Sequence, residues 1–238
     1  FDGYDFAGVV VKTREGRPIF IKGNKHSQIT GGALNARVNA SVLELYDAKR
    51  GKAPAKKAGA SWQKGLEWSA VDKEISGHLS KVSAAGGKIV VLTGTLMSPS
   101  SEKAIADLAA KFPGVEHVVY DSISSSGILK ANKMMFGKAV IPSYRFDKSK
   151  VIVSIGADFL GGWLNSNQYT AQYALSRKPE GDWMSKHFQF ETKLSLTGSN
   201  ADVRATLKPS ENGIAAAYLL KAVGGNVTVP AGLTEGAK

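Results

Sequence analysis

The sequence predicts an α/β protein, with an N-terminal β-hairpin module followed by a mostly parallel sheet and flanking helices. Three observations carry this. Between residues 88 and 156 short apolar runs alternate with helical patterns of about a dozen residues, the signature of βαβ units. Near the N-terminus two period-2 runs flank a turn. The 238 residues are 43% hydrophobic and 21% charged, an ordinary globular balance with enough chain to bury a core.

The first run, "AGVVVKTREGRPIFIKG", alternates at Val9 and Val11, turns at Glu15-Gly16 and alternates again at Ile19 and Ile21, so it is expected to be a hairpin. Lys49, Arg50, Lys52, Lys56, Lys57 and Lys64 follow with no acid between Asp47 and Glu67. Gly, Ala and Pro54 give this stretch no apolar period, which predicts a solvated basic connector. It suits an acidic protein partner better than nucleic acid, because "KRGKAPAKKAGAS" has no aromatic side chain interleaved with its charges for base stacking.

In "WSAVDKEISGHLSKV", Ser69 and Asp72 form a capping pattern ahead of Val71, Ile75, Leu79 and Val82 at helical spacing. Strand 88–93, helix 101–112, strand 116–121, helix 125–136 and strand 150–156 come next. Then "NQYTAQYALSR" is expected as a helix, "KLSLT" as a short strand and "ENGIAAAYLLKAV" as a last helix. The expected segments are a hairpin module at 1–48, the connector at 49–66, the α/β region at 67–223 and a Gly-rich tail at 224–238. The start at Phe-Asp-Gly-Tyr, without an export signal, is expected of part of something longer.

Cysteine is absent, so the chain itself supplies no disulfide, no thiolate for zinc or iron and no cysteine nucleophile. No apolar run approaches the roughly 20 residues of a membrane span. The formal charge of +11 is compatible with nucleic acid but rests on composition alone. His26, His78, His117 and His187 show no metal-ligand spacing, and Ser122, Ser124, Ser125 and Ser126 lack a nucleophile elbow and suit helix capping. Asp202 and Arg204 are candidates for a pair, and Asn200 and Asp202 suit a tight turn in what is expected to be a structural loop. Trp163, Tyr169, Tyr173 and Trp183 divide between core and interface anchors.

Ligands of open parallel sheets collect at the carboxyl ends of strands. Two such ends are marked, by Thr93, Gly94, Thr95 and Ser98, and by Gly156, Ala157 and Asp158. Neither carries a dinucleotide or phosphate-loop fingerprint.

"GRPIFIKGNKHSQITGGALNARVNASVLELYD" resembles the segment that closes the iron–sulfur module of molybdopterin oxidoreductases, and "KVIVSIGADFLGGWL" is similar to the strand and loop that hold half of their pterin. A narrower likeness runs from Ala7 to Ser210. "IVVLTGTLMSPSSEKAI", "ILKANKMMFGKAVIPSYRFDKSKVIVSIGADFLGGWL" and "FETKLSLTGSNADVR" resemble the B subunit of bacterial alternative complex III.

The resemblance implies a Rossmann-like fold. It places Asn35 where the last cluster-binding cysteine stands and Arg37 where a cation lies between cluster and pterin; asparagine cannot replace a thiolate toward iron. It therefore implies a non-catalytic scaffold with no cofactor and no metal, whose crevice at Thr93–Ser98 and Gly156–Asp158 is vestigial. Iron–sulfur clusters and c-type haems are expected in partners: an iron–sulfur domain or subunit, a multihaem cytochrome c and quinol-oxidising membrane subunits. The implied place is the periplasmic face of the bacterial inner membrane, without a span of its own and without nucleic acid. The alternative is an active pterin- or nucleotide-dependent oxidoreductase using the crevice after Thr93 and Gly156.

Overall fold

The computed structural model describes residues 3–233. Its elements in chain order are β1 (Val9–Arg14), β2 (Arg17–Gly23), α1 (Ala36–Ala40), β3 (Ala55–Ala58), β4 (Ser61–Lys64), α2 (Trp68–Ala84), β5 (Ile89–Thr93), α3 (Pro99–Lys111), β6 (Val115–Val119), α4 (Ser126–Phe136), β7 (Val151–Ile155), α5 (Ser166–Ser176), β8 (Lys186–Glu191), α6 (Leu196–Ser199), β9 (Val203–Thr206) and α7 (Asn212–Ala222). The chain is α/β, as expected. Among the described residues no helix is long and apolar enough to cross a membrane.

Two compact units form. One comprises Ala40–Ile141 with the extreme N-terminus; the other joins Asp5–Asn39 to the chain from Pro142 onward. Parallel pairing is present in both, as a two-stranded β5–β6 sheet in the first and a three-stranded β7–β8–β9 sheet in the second.

Local chemistry explains most boundaries. Glu15 and Gly16 take φ of 50° and 77° between β1 and β2, the doubly left-handed two-residue turn whose twist matches a hairpin. Pro99 opens α3 behind Ser98, whose Oγ accepts the Ser101 N–H at 3.4 Å. Gly137, at φ 73°, ends α4.

Three expectations are corrected. Ser69 does not cap α2, which starts a residue earlier behind Glu67 with no side-chain cap. The basic connector is not free of regular structure: β3 and β4 pair across Gly59-Ala60, where Gly59 takes φ 62°, so a hairpin forms without apolar alternation. "KLSLT" is not a strand. Glu191 accepts the Ser195 N–H, and Ser195 Oγ caps Gly198 N–H at 2.9 Å, which turns the chain into α6. The strand lies earlier, at β8, in the period-2 pattern "KHFQFE".

The second unit is organised by rings. Phe146 stacks on Phe159 with centroids 4.3 Å apart, Tyr169 meets Phe146 edge-on at 5.2 Å, and Tyr173 meets Phe159 edge-on at 5.7 Å. Tyr169 and Tyr173 are buried and belong to this core, Trp163 packs on Tyr144 at 5.4 Å, and Trp183 is partly exposed. Burial pushes the Tyr169 phenol up to about 12, so it stays protonated. A second cluster of Leu207, Ala215 and Leu233 with Phe190 and Ile155 joins α7 to the sheet.

Gly23, at the end of β2, has no room for a side chain: a Cβ there would lie 1.7 Å from the Gly32 carbonyl oxygen. Gly23→Ala is expected to destabilise the second unit by about 2 to 3 kcal/mol through forced backbone displacement. Gly16→Ala meets nothing within 4 Å and costs only its left-handed strain, of order 1 kcal/mol. Chemical denaturation of the two variants checks the order.

Candidate functional site

Asp5, which nothing in the sequence pattern marked, is the centre of the hairpin module's attachment. It is buried. Its Oδ1 accepts the Phe6 N–H at 3.0 Å, the Asn167 N–H at 3.3 Å and Asn167 Nδ2 at 3.0 Å, while Oδ2 accepts Ser166 Oγ at 2.8 Å and Asn35 Nδ2 at 3.3 Å. Ser166 and Asn167 open α5. A carboxylate there accepts the Asn167 backbone N–H of the first helical turn, at the end of the helix that attracts carboxylates.

Asn35 faces this carboxylate and does a second task. Its Oδ1 accepts the Val38 N–H at 2.9 Å, the geometry of an N-cap for α1. The residue at the expected cluster-cysteine position thus joins a helix cap to a buried anion. Arg37 lies within α1, two residues further on.

The loop after β7 is closed on itself. Gly156 takes φ 69° and donates its N–H to the Phe190 carbonyl at 2.7 Å. The N–H groups of Gly161, Gly162 and Trp163 converge on the Asp158 carbonyl at 3.0 to 3.1 Å, and Leu160 N–H donates to Thr197 Oγ1 at 2.9 Å. Asp158 Oδ1 in turn accepts Thr197 Oγ1 at 2.8 Å and Thr197 N–H at 3.1 Å. Gly161 is required here, since a Cβ would lie 2.1 Å from Asp158 Oδ2. Four consecutive amides that an anionic cofactor would use are already donated within the chain, and the carboxylate at the centre repels a phosphate. This donor set does not fit a phosphate-bearing pterin or nucleotide. One polar atom nearby is unmatched: Asn212 Oδ1, at the start of α7 and close to Gly156, is buried without a partner.

The other half of the expected crevice belongs to the first unit. Thr95 donates its N–H and Oγ1 to Asp121 at 2.8 and 2.5 Å, which holds the Asp121 carboxyl below its ordinary range. Thr93 Oγ1 lies 2.8 Å from His117 Nε2, and Ser98 is occupied as the α3 cap. Thr93–Ser98 and Gly156–Asp158 thus lie in different compact units. Among the described residues, no three His, Asp or Glu side chains gather where they could hold a metal ion.

The strand missed from the sequence carries the main buried polar array. His187, Gln189 and Glu191 project from one face of β8, buried, with Ile152 and Ser154 of β7 beside them. Gln189 Nε2 donates to Glu191 at 3.3 Å, and Gln189 Oε1 lies 3.3 Å from His187 Nε2. Tyr173 OH lies 3.1 Å from His187 Nδ1 and donates to the Asn200 carbonyl at 2.9 Å. Asp202 and Arg204 do not pair with each other. Arg177 grips Asp202 through two bonds of 2.7 and 2.9 Å, and Arg204 reaches Glu191 at 2.6 Å. Arg204 lies in β9 opposite Gln189 and Asp202 precedes the strand, and each meets a partner from a different element.

Replacing Asp5 by Ala leaves several buried donors without their acceptor and is expected to cost about 3 kcal/mol, read as a lowered denaturation midpoint. Asn35→Cys removes the α1 cap, at about 1 kcal/mol. One thiolate cannot hold a cluster that needs four, so this variant is expected to bind no iron after anaerobic reconstitution.

Acid should weaken the second unit in two steps. Burial holds the His187 imidazole below its ordinary value, so its neutral form stabilises the fold above about 6.5 and that contribution falls as pH drops below it. Asp202 is depressed to about 2, first by its hydrogen bonds from Arg177, so its contribution is present above about 3.9 and is lost as pH falls toward about 2. Denaturation midpoints measured across this range should lose the first step, and keep the second, in His187→Gln.

No family model matches the chain. It is 25% identical over 236 residues to a protein of Nitratidesulfovibrio vulgaris named menaquinone reductase, molybdopterin-binding-like subunit, a match that covers 94% of this chain and 32% of that relative. The chain therefore spans about a third of the length of that curated relative, and the match supports a distant molybdopterin-oxidoreductase-like relationship.

Proposed function

We propose that the chain is a cofactor-free scaffold within a quinone-linked respiratory electron-transfer complex of the alternative complex III type. One observation carries the reading: at the position where the resemblance expects a cluster thiolate, Asn35 is committed to a helix cap and to the buried Asp5 carboxylate. A cluster there would need both contacts broken and ligands that a cysteine-free chain does not supply. The closed amide set after β7 supports the same reading for the pterin half.

The similarity to a subunit of a menaquinone reductase supports membrane-complex partners. On this reading the redox centres are an iron–sulfur domain or subunit and a multihaem cytochrome, the quinol is handled by membrane subunits, and the assembly faces the periplasm. The relative's name describes reduction of a quinone, whereas the resemblance describes oxidation of a quinol; a module without a redox centre of its own serves either direction of electron flow. A second reading, an active pterin- or nucleotide-dependent oxidoreductase, is favoured by the unpartnered Asn212 Oδ1 beside Gly156 and opposed by the amides already donated in the same loop.

Metal and pterin analysis of the purified intact assembly, with its subunit composition, tests the proposal. The expected result is iron and haem in partner subunits and no molybdenum or pterin retained by this chain. Stoichiometric pterin co-purifying with it would establish the second reading instead.

A further inference from the structure

We propose that the groove between the β3–β4 hairpin and α2 is a docking site for an acidic amphipathic helix of a partner protein. The groove has a volume of about 430 Å³, and its floor is formed by Leu66, Val71, Ile75 and Leu79. Val71, Ile75, Leu79 and Val82 recur at helical spacing along α2, so they form one apolar stripe about 16 Å long, or three turns. A stripe of this kind ordinarily faces a core. Here α2 buries none of its 17 residues, and Ile75 is 52% exposed. A second helix laid along the stripe would complete it, at the 8 to 10 Å spacing at which helices pack.

The rim decides the chemistry of that helix. Lys56 and Lys57 line the groove, Lys64 ends β4, and Lys49, Arg50 and Lys52 precede the hairpin in the same acid-free stretch. Lys56 is bonded to Glu74 across the groove, which ties the hairpin to α2. Among the described residues no carboxylate forms an ion pair with the other five. An occupant with carboxylates flanking an apolar stripe matches both floor and rim.

A lipid surface fits less well, because a recessed floor stays out of reach of a bilayer plane while a narrow helix enters it. Nucleic acid fits less well because the His78 imidazole is the one ring among the residues that line the groove, too little for a run of bases to stack on. The inference names a partner class for the scaffold reading and rests on it only for the origin of the helix.

The probe is a fluorescein-labelled synthetic helix with leucines along one face and glutamates along the others, titrated into the full chain. Controls are a scrambled peptide of the same composition, a lysine-faced version, anionic phosphatidylglycerol vesicles and a single-stranded oligonucleotide. The glutamate-faced helix should bind at least roughly tenfold more tightly than the scrambled or lysine-faced peptides, and more weakly at high salt. Ile75→Ser should weaken it roughly tenfold, and so should joint replacement of Lys52, Lys57 and Lys64 by Gln. These positions are exposed, so both variants should keep the wild-type circular dichroism.

Equal affinity for the scrambled peptide, indifference to both variants, or stronger binding to the vesicles or the oligonucleotide would overturn the proposal. None of those outcomes bears on the metal and pterin content of the assembly, so failure here and failure of the scaffold reading are distinguishable.

Discussion

The second unit depends on one buried anion. A two-stranded hairpin is marginal by itself in water, and β1–β2 bury little, with all six residues of β1 exposed. What attaches this module to the distant part of the chain is the Asp5 carboxylate, which gathers donors from Phe6, Asn35, Ser166 and Asn167 across more than 160 residues of sequence. Such a charge is tolerated only because each oxygen is satisfied and a helix N-terminus faces it. In a metal-bearing relative of the kind the sequence resembles, a cluster ligated at the position of Asn35 would provide a cross-link there. Here hydrogen bonds make the attachment.

The same preference for satisfied polar groups over apolar filling recurs on β8. Its most buried face carries His187, Gln189 and Glu191, whereas the opposite face, with Phe188 and Phe190, is only partly covered. The array is closed at both ends by guanidinium groups, Arg177 on Asp202 and Arg204 on Glu191. Buried polar networks of this kind favour one arrangement of strands over near alternatives, since a shift by one residue would bury unpaired charge. They give the sheet register and rigidity.

The first unit is the counterpart. Val90 and Leu92 of β5 are 55% and 66% exposed, and α2, α3 and α4 bury none of their residues. Parallel sheets are normally covered on both faces, because the crossover helices put apolar side chains on each. In this unit much of that apolar surface is uncovered. Its charged hairpin and its unfilled helical stripe lie side by side.

Sequence alone determined the α/β class, the β1–β2 turn at Glu15-Gly16, the alternation of strands and helices from β5 to β7, and the exclusion of thiolate chemistry. These follow from local periodicity, turn residues and composition, each of which is written within a few neighbouring positions. The hairpin in the basic stretch, the α6 turn and β8 were hidden because a glycine turn and a carboxylate cap outweighed weak or misleading apolar patterns. Only the tertiary structure decided that Asp5 meets Asn35 and α5, that Arg177 and Arg204 take separate carboxylates, and that the loop after β7 consumes its own amides. Those are pairings between residues far apart in the chain, and their energy arises from burial and geometry that no local pattern encodes.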